Sequence, residues 1–303
     1  MLLNLKTSKK TLIQSATKFE FLINNFHIKI KAKANTNTTP NTTMRKQSKL
    51  LRKITQKTLS ISGMNLENSM SMINVLTVHY RSTSWIPIQN RCLKNYLRNY
   101  QVWSFIDEVK FNSSDFDFHS VKESKVSESG SIGHAKKLDM LVADLKELPD
   151  NDIIIFLDGD SFPISQLNKF IENTLADYDF ISIVREEMGH KFPHPSFACC
   201  KLGLWRKHNL TWGVKFDTGG ILQEQIESKN IKWKKLKRTQ SIGTHPVMFG
   251  VYGNIIYHHT AAFRDATTRW DIENENHTKP VMDRELESRN IFEKIKNNEL
   301  FKI

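Results

Sequence analysis

The sequence has few cysteines, glycines and prolines, and it lacks a long apolar run. Its three cysteines, with Cys199 and Cys200 adjacent, form neither a disulfide framework nor a paired C-x-x-C metal site, so we expect a reducing, cytoplasmic compartment. Twelve glycines and eight prolines in 303 residues exclude a collagen-like chain. No run of about 18 uncharged apolar residues occurs, which predicts no transmembrane helix and leaves contact with a membrane surface open.

Acidic residues are almost missing from the first quarter of the chain. Residues 1–72 hold 13 Lys and Arg and only two acidic residues, whereas residues 73–303 carry a net charge of only +1. Three interpretations stay open: a basic arm for nucleic acid or anionic lipid, an organelle-targeting segment, or a disordered leader before a native start at Met64, Met70 or Met72. Because the excess of basic residues is confined to this segment, the high pI does not argue for a nucleic-acid function, and we expect no nucleic-acid partner. We expect a disordered leader over residues 1–72 and one folded domain over residues 73–303.

Short apolar runs alternate with amphipathic stretches after residue 72. The order predicts an α/β fold with a Rossmann-type, mostly parallel sheet, followed by a mixed C-terminal half. The polar stretch 111–130 is expected to be a loop. The predicted strands are Ile73–His79, Tyr100–Ile106, Ile153–Leu157 and Asp179–Val184, and the predicted helices are Pro87–Leu97, Ile132–Leu148 and Pro163–Leu175.

Two aspartates separated by one glycine follow the most apolar strand, Ile153–Leu157. Ligands of open α/β sheets bind outside the carboxyl ends of the strands. Gly159 lets the backbone turn tightly, so Asp158 and Asp160 can address one cation, and Mg²⁺ or Mn²⁺ would relieve their mutual repulsion. Such an ion bridges to substrate phosphates. The alternative is a surface turn with two exposed carboxylates.

Residues 73–265 resemble the metal-dependent nucleotide-sugar glycosyltransferases of the GT-A fold. The shared features are a strand that opens the domain, a helix before a hydrophobic strand, and a D-x-D motif at its end (FLDGDSFP). The resemblance implies a GT-A-like fold and sugar transfer from a UDP- or GDP-sugar to a hydroxyl of a glycan, a lipid-linked sugar or a protein. It also implies that Asp160 is a direct ligand of Mn²⁺ or Mg²⁺, and that Asp158 contacts the metal, water or ribose.

Two further segments lie where such enzymes hold the nucleotide. Tyr80 and its neighbours end the first strand, and a Tyr ring can stack on a base. His134 or Lys137, in the helix before the D-x-D strand, would meet phosphate, and Asp139 would meet the ribose or base. The alternatives are a polar surface loop and a solvated helix face. The candidate donor-binding residues here are His79, Tyr80, Arg81, His134, Lys137, Asp139 and Asp158.

A histidine pair ends a strand-like run near the C-terminus. Adjacent strand residues point to opposite faces, so at most one of His258 and His259 can enter the site. Glycogenin-type glycosyltransferases carry a His with a Gly three residues later and a Lys six residues later. Here Ala261 and Arg264 occupy those positions. The similarity implies that His258 is a metal ligand and that Arg264 binds the diphosphate. The alternative is that His258 is an ordinary core or surface histidine.

Asp217 precedes two glycines in the segment KFDTGG. The glycines allow a sugar to approach the backbone closely, and the carboxylate can bind acceptor hydroxyls. If the configuration inverts, Asp217 is the candidate base that deprotonates the acceptor, whereas retention requires no such base. The alternative is a turn in which Asp217 caps the helix that starts at Ile221.

Two other functions stay open from the sequence. A haloacid-dehalogenase-type phosphatase also has a D-x-D after an apolar strand, and its first Asp is the nucleophile. That motif commonly continues D-x-D-x-[TV] near the domain start, whereas here Phe162 occupies the last position and α/β sequence precedes the motif. A basic-tailed binding module, the other alternative, would depend on residues 1–72.

Overall fold

The computed structural model describes residues 71–112, 117–260 and 281–301. Residues 1–70 of the predicted leader and the residue Arg264 lie outside these ranges, and the predicted boundary at residue 72 stays a prediction. In chain order the elements are β1 (Ile73–Tyr80), α1 (Ile86–Tyr96), β2 (Tyr100–Asp107), β3 (Ser120–Lys122), α2 (Gly130–Asp144), β4 (Ile153–Asp158), β5 (Ser161–Pro163), α3 (Leu167–Leu175), β6 (Phe180–Ile183), β7 (His194–Lys201), α4 (Leu202–Lys207), β8 (Val214–Lys215), β9 (Asp217–Thr218), α5 (Gly220–Ser228), β10 (Trp233–Leu236), β11 (Arg238–Ser241), β12 (Gly250–Tyr252), β13 (Ile256–His258) and α6 (Val281–Lys296).

A seven-stranded sheet forms the centre of the domain, in the order β10-β6-β7-β4-β1-β2-β3. Within the described residues β7 alone runs antiparallel in this sheet. Val75 of β1 lies in register with Val102 of β2 and Ile155 of β4. The predicted mostly parallel, Rossmann-type sheet is therefore confirmed, and the fold is GT-A-like.

Helices cover both faces of the central sheet, and the alternation of side chains along β4 divides the core. Ile154 and Phe156 pack with Leu138 of α2 on one face. Ile155 packs with Leu93 of α1 on the other face, and both side chains are fully buried. This two-sided burial explains why β4 is apolar at every position before its terminal aspartate.

A second, antiparallel sheet of four strands has the order β11-β12-β13-β5. Its apolar side chains include Phe162 of β5 and Tyr257 of β13, which pack with Trp85 and with Ile291 of α6. The strand β5 corrects the prediction that Pro163 starts a helix. Pro163 pairs with Ile256 of β13, so the helix α3 begins only at Leu167.

The segment 111–130 also differs from its prediction as a loop, because Ser120–Lys122 forms the edge strand β3 beside β2. Three half-buried residues in a polar stretch carry too little periodicity to be recognised as a strand. No helix among the described residues is both long and apolar enough to cross a bilayer.

The order in which successive strands are added to the sheet changes direction at β1. Strand β2 pairs with one edge of β1 and β4 pairs with the other, so the order of strands switches at this point. The carboxyl ends of β1 and β4 meet there, and this is the position at which open α/β sheets bind ligands. Asp158, the last residue of β4, lies in register with Val78, two residues before β1 ends at Tyr80.

Candidate metal centre

Asp158, Asp160 and His258 come together where the two sheets meet. Asp158 ends β4, and His258 ends β13 in register with Ser161 of β5, which follows Asp160 directly. One ligand atom from each of the three residues lies within 4.8 Å of the other two. His258 Nε2 is 3.5 Å from Asp160 Oδ1 and 3.9 Å from Asp158 Oδ2. His258 and Asp160 are only 3% and 8% exposed, so the cluster is largely shielded from water.

The composition of this cluster fits a divalent cation. Two carboxylates and an imidazole form a donor set that suits Mn²⁺ and, through the carboxylates, Mg²⁺. The Oδ1 atom of Asp158 is buried. Its contact with His134 Nε2 at 3.2 Å lacks hydrogen-bond geometry, so this oxygen has no hydrogen-bond partner within the described residues. A buried carboxylate oxygen without a well-aligned donor is costly, and a cation at this position would remove the cost. Three protein ligands leave coordination positions for phosphate oxygens and water.

Residues of α1 and β1 contact the turn that carries the two aspartates and fix its position. The amide Nε2 of Gln89, a wholly buried residue of α1, donates to the carbonyl oxygens of Asp158 at 2.9 Å and Ser161 at 2.8 Å. A Cβ atom on Gly159 would lie 2.7 Å from His79 Nδ1, so only glycine fits here without displacement. The turn is thus fixed at both ends and in its middle.

His79 lies beneath this turn, which differs from its predicted place at the nucleotide. It is 2% exposed, and its Nε2 is 3.5 Å from Thr77 Oγ1. Burial lowers the pKa of His79 to about 4, although the Asp160 carboxylate opposes the shift. The ring is therefore neutral near pH 7. Side chains alternate along β1, so Tyr80 faces solvent where His79 faces inward.

The end of β1 and the end of β2 form the side of the site where a base or ribose is predicted. Tyr80 is 42% exposed, and its hydroxyl donates to Glu108 Oε1 at 2.7 Å. Arg81 donates from Nε to the same carboxylate at 2.8 Å, and its guanidinium carbon lies 4.8 Å from the Tyr80 ring centroid. Both predicted residues are thus at the carboxyl edge of the sheet, and the Tyr80 ring is accessible.

Lys137 does not offer a free cation to phosphate. Its Nζ lies 2.7 Å from Asp107 Oδ2, and both side chains are at least nine-tenths buried. Burial raises the pKa of Asp107, but the hydrogen bonds from Lys137 and Ser124 outweigh it and hold the pKa below its ordinary value. Lys137 Nζ also lies 5.1 Å from the Tyr80 ring centroid. The buried pair therefore fixes the end of β2 to α2 beside the Tyr80 ring.

The two remaining candidates on α2 face different surroundings. His134 Nε2 is 3.2 Å from Asp158 Oδ1, which places His134 beside the cluster. Asp139 instead accepts the backbone N–H of Trp212 at 3.0 Å. Burial raises the pKa of Asp139 to about 6, against the opposing effect of that hydrogen bond. The contacts of Asp139 thus belong to the packing of α2 and not to the cluster of Asp158, Asp160 and His258.

The histidine pair is divided between two environments. His258 faces the aspartates, whereas His259 is fully buried on the opposite side. His259 Nδ1 is 2.8 Å from the Tyr257 hydroxyl, and Nε2 is 2.8 Å from Ser288 Oγ. Burial lowers the pKa of His259 to about 3. His259 therefore joins the second sheet to α6 and takes no part in the cluster.

His194 lies next to His258, although the sequence does not predict it at the metal cluster. The two ring centroids are 5.4 Å apart. His194 Nδ1 accepts the backbone N–H of Ser196 at 3.2 Å, and burial lowers the pKa of His194 well below its ordinary value. His194 begins β7, and the start of an antiparallel strand lies at the edge where its parallel neighbours end. The local sequence does not show whether β7 runs parallel or antiparallel to its neighbours. The position of His194 beside His258 therefore cannot be predicted from the residues around it.

Asp217 lies in the hairpin formed by β8 and β9, which is attached to the start of α2. The Ser131 hydroxyl donates to Asp217 Oδ1, and so does the backbone N–H of Thr218 at 2.7 Å. Thr218 Oγ1 in turn donates to the Ser131 carbonyl at 3.0 Å. Ser131 lies about one helical turn before His134, the α2 residue beside the cluster. Asp217 is therefore connected, through the first turn of α2, to the helix that places His134 beside the cluster.

Comparison with known proteins finds similarity among solved structures. No family model and no curated protein matches the chain. The chain is similar to S. aureus TarS, with 11% identity, a TM-score of 0.43 and coverage of 70% of this chain and 41% of TarS. It is also similar to the mannosyltransferase PcManGT from Pyrobaculum calidifontis, solved with GDP-Man and Mn²⁺, with 12% identity, a TM-score of 0.40 and 55% of each chain covered.

A third similar structure is a glycosyltransferase involved in glycosylation of the major capsid of PBCV-1. It has 9% identity, a TM-score of 0.39 and coverage of 72% of this chain and 99% of that chain. Identities near 10% with TM-scores below 0.5 establish neither a family nor a mechanism. By its own sheet topology the chain has a GT-A-like α/β fold, and glycosyltransferases are among the solved structures similar to it.

Proposed function

We propose that the protein is a metal-dependent glycosyltransferase that moves a sugar from a nucleotide-diphosphate sugar to an acceptor hydroxyl. The observation that carries this proposal is the grouping of Asp158, Asp160 and His258 within 4.8 Å at the switch point of the sheet. A Mn²⁺ or Mg²⁺ ion held by these three residues would neutralise the charge that develops on the departing nucleoside diphosphate.

Residues around the cluster are assigned roles in binding the nucleotide-sugar donor. The exposed ring of Tyr80 stacks on the base of a UDP- or GDP-sugar, and Arg81 and Glu108 hold that ring in position. His134 orients Asp158 from the α2 side of the cluster. Arg264, outside the described residues, remains a proposed contact to the diphosphate.

Asp217 is the proposed catalytic base if the reaction inverts configuration. Its Oδ1 atom accepts two hydrogen bonds, from Ser131 and Thr218, which fix the orientation of the carboxylate. A base must be held within hydrogen-bond reach of the hydroxyl it deprotonates, and a carboxylate anchored through one oxygen keeps the other for that task. The proposal therefore assigns the acceptor to the region formed by β8, β9 and the start of α2.

The surroundings of Asp158 disfavour the phosphatase alternative. A nucleophilic Asp158 would need open access, whereas this carboxylate lies between His134 and His258 and its side chain is only 15% exposed. We further propose a cytoplasmic location. The described residues include three free cysteines, Cys92, Cys199 and Cys200, all buried, and free thiols suit a reducing compartment.

A thermal-shift screen with UDP, GDP and CDP, each with and without Mn²⁺, tests the proposed function. We expect one nucleotide to stabilise the protein only with Mn²⁺, by roughly 2.7 kcal/mol at a hundredfold excess over its dissociation constant. Asp160→Asn should abolish the shift, and Asp177→Asn, which removes an exposed carboxylate on another part of the surface, should leave it intact. Absence of any Mn²⁺-dependent shift in the unaltered protein would refute the proposal.

A further inference from the structure

Thr260, which follows the histidine pair, has a strained backbone. Its φ is 68°, a value in the left-handed region. Among the described residues other than glycine that have a positive φ, Thr260 alone is β-branched, and a β-branched residue is a genuine outlier there. Such a conformation persists only where the surrounding structure holds it, and it occurs most often at functional sites. The contacts of Thr260 and its neighbours therefore show what this strain supports.

The buried side chain of Thr260 faces the ring of His258. Thr260 Oγ1 lies 3.4 Å from His258 Nδ1, while His258 Nε2 lies 3.5 Å from Asp160 Oδ1 in the metal cluster. A neutral histidine that binds a metal ion through Nε2 carries its proton on Nδ1, and that N–H commonly donates to a nearby oxygen. The Thr260 hydroxyl is in place to accept this proton, so it can fix both the tautomer and the orientation of the ring.

The backbone of His259 is hydrogen-bonded on both sides. Its N–H donates to the Asp160 carbonyl at 3.1 Å, which continues the pairing of β13 with β5 by one step towards the aspartates. Its carbonyl accepts the N–H of Phe249 at 3.2 Å. The residue that separates His258 from Thr260 is therefore fixed directly to one of the two aspartates of the cluster.

The side chain of His259 connects this segment to the C-terminal helix α6. Its Nε2 is 2.8 Å from Ser288 Oγ of α6. Its ring centroid is 4.6 Å from that of Trp85, which in turn lies 4.8 Å from the ring of Phe292 of α6. These polar and aromatic contacts hold the backbone immediately before Thr260, and they come from a helix that contributes no ligand to the cluster.

We propose that Thr260 is a positioning residue of the metal site, and that His259 and Ser288 hold its strained backbone in place from α6. This inference rests on the proposed function, because it explains how His258 is presented to the metal ion. The Thr260 hydroxyl acts through the His258 ring and not on the metal or the substrate. A relaxed φ at Thr260 would move Oγ1 away from His258 Nδ1, and the ring would then be free to turn from the aspartates.

Titration of Mn²⁺ into the full chain tests the proposal, with EPR for the affinity and spin-echo EPR for the nitrogen coupling between Mn²⁺ and His258. Thr260→Val removes the hydroxyl and keeps the branched shape. We expect it to weaken Mn²⁺ binding by about tenfold and to reduce the nitrogen coupling. Thr260→Ser keeps the hydroxyl and should bind nearly as tightly as the unaltered chain. Ser288→Ala, which removes the hydroxyl of α6 that contacts His259, should weaken binding several-fold.

Thr239→Val is the matched control, since it removes a hydroxyl that donates to the Val251 carbonyl at 3.2 Å in the same sheet, and it should leave Mn²⁺ binding unchanged. Equal losses in Thr260→Val and Thr239→Val, or in Thr260→Val and Thr260→Ser, would overturn the proposal.

The unaltered chain and His258→Ala separate this inference from the proposed function. If the unaltered chain binds Mn²⁺ with a nitrogen coupling that disappears in His258→Ala, and Thr260→Val keeps both the affinity and the coupling, only the positioning role is wrong. If the unaltered chain binds no Mn²⁺, or the coupling persists in His258→Ala, the metal site itself is wrong and the positioning role fails with it.

Discussion

Gln89 is fully buried, and its amide donates to two carbonyl oxygens of the turn that bears Asp158 and Asp160. Groups that orient metal ligands commonly change metal affinity by about 10- to 100-fold when they are removed. We therefore expect Gln89→Leu to weaken Mn²⁺ binding by roughly tenfold or more while the protein stays folded. Titration with Mn²⁺ followed by EPR measures the change.

Gln223→Leu is the control for that variant, because among the described contacts the Gln223 side chain bonds only to Glu227, on the surface of α5. Its Mn²⁺ affinity should match that of the unaltered protein. Unchanged affinity in Gln89→Leu would show that the turn holds its shape without the glutamine.

Asp139 predicts a pH dependence of stability. Its pKa is about 6 in the folded chain against an ordinary value of 3.8, because it is buried. The folded state therefore holds this proton more tightly, and the stability gained from it at low pH is lost as the pH rises through about 6. Asp139→Asn keeps an acceptor for Trp212 and removes the charge. We expect it to raise the free energy of unfolding by about 1–3 kcal/mol at pH 8 and by little near pH 4.

Urea unfolding at pH 8 and pH 4 measures this difference. A loss of stability at pH 8 would mean that the charged carboxylate has a favourable partner, and it would contradict the account of Asp139 as a packing residue. Retained Mn²⁺-dependent nucleotide binding in Asp139→Asn would agree with the placement of Asp139 away from the metal cluster.

At the scale of elements, the join between β4 and β5 depends on one glycine. A Cβ atom on Gly159 would lie 2.7 Å from His79 Nδ1 and 2.9 Å from the Val78 carbonyl, so the turn must move in Gly159→Ala. We expect this variant to lose most of its Mn²⁺ affinity. Gly189→Ala separates that effect from general strain, because Gly189 has a φ of 74° with no atom near the added Cβ.

Gly189→Ala should be destabilised by about 1 kcal/mol through its backbone alone and should bind Mn²⁺ normally. Calorimetric melting and EPR titration of both variants give the comparison. Normal Mn²⁺ affinity in Gly159→Ala would show that the spacing of the two aspartates tolerates a shifted turn.

The sequence predicts the elements whose signal is local. The run Ile153–Leu157 is buried on both faces of the sheet. A strand covered on both faces needs an apolar residue at every position, and the sequence of this run shows that directly. Asp158 and Asp160 follow from that strand, and His258 follows from its similarity to a known pattern. The short strand β5 is different, because only its pairing with β13, some 90 residues later, makes it a strand.

Residues that act through distant partners escape sequence analysis for the same reason. The Gln89 side chain donates to carbonyl oxygens of residues 69 and 72 positions later in the chain. No sequence pattern around Gln89 predicts that it supports the turn of the two aspartates. For Lys137 and Asp139, the position of their helix alone predicts contact with the nucleotide. Their actual partners, Asp107 and the backbone of Trp212, belong to other elements and become visible only in the folded chain.

At the scale of the whole molecule, the basic charge and the candidate site occupy different parts of the chain. Residues 1–72 carry a net charge of +11, whereas the cluster of Asp158, Asp160 and His258 lies within the compact unit Met70–Ile303. We therefore expect a chain that starts at Met70 to keep its Mn²⁺-dependent nucleotide response. Salt-sensitive binding of nucleic acid that needs the first 69 residues, together with loss of the nucleotide response, would favour the binding-module alternative.

The most direct measurement is an EPR titration of Mn²⁺ into the full chain, with and without the nucleoside diphosphate that gives the largest thermal shift. The account predicts one Mn²⁺ bound per chain, tighter binding when the nucleotide is present, and loss of that site in Asp158→Asn, Asp160→Asn and His258→Ala. Mn²⁺ bound with equal affinity by all three variants, or a nucleotide that binds equally well without Mn²⁺, would contradict it.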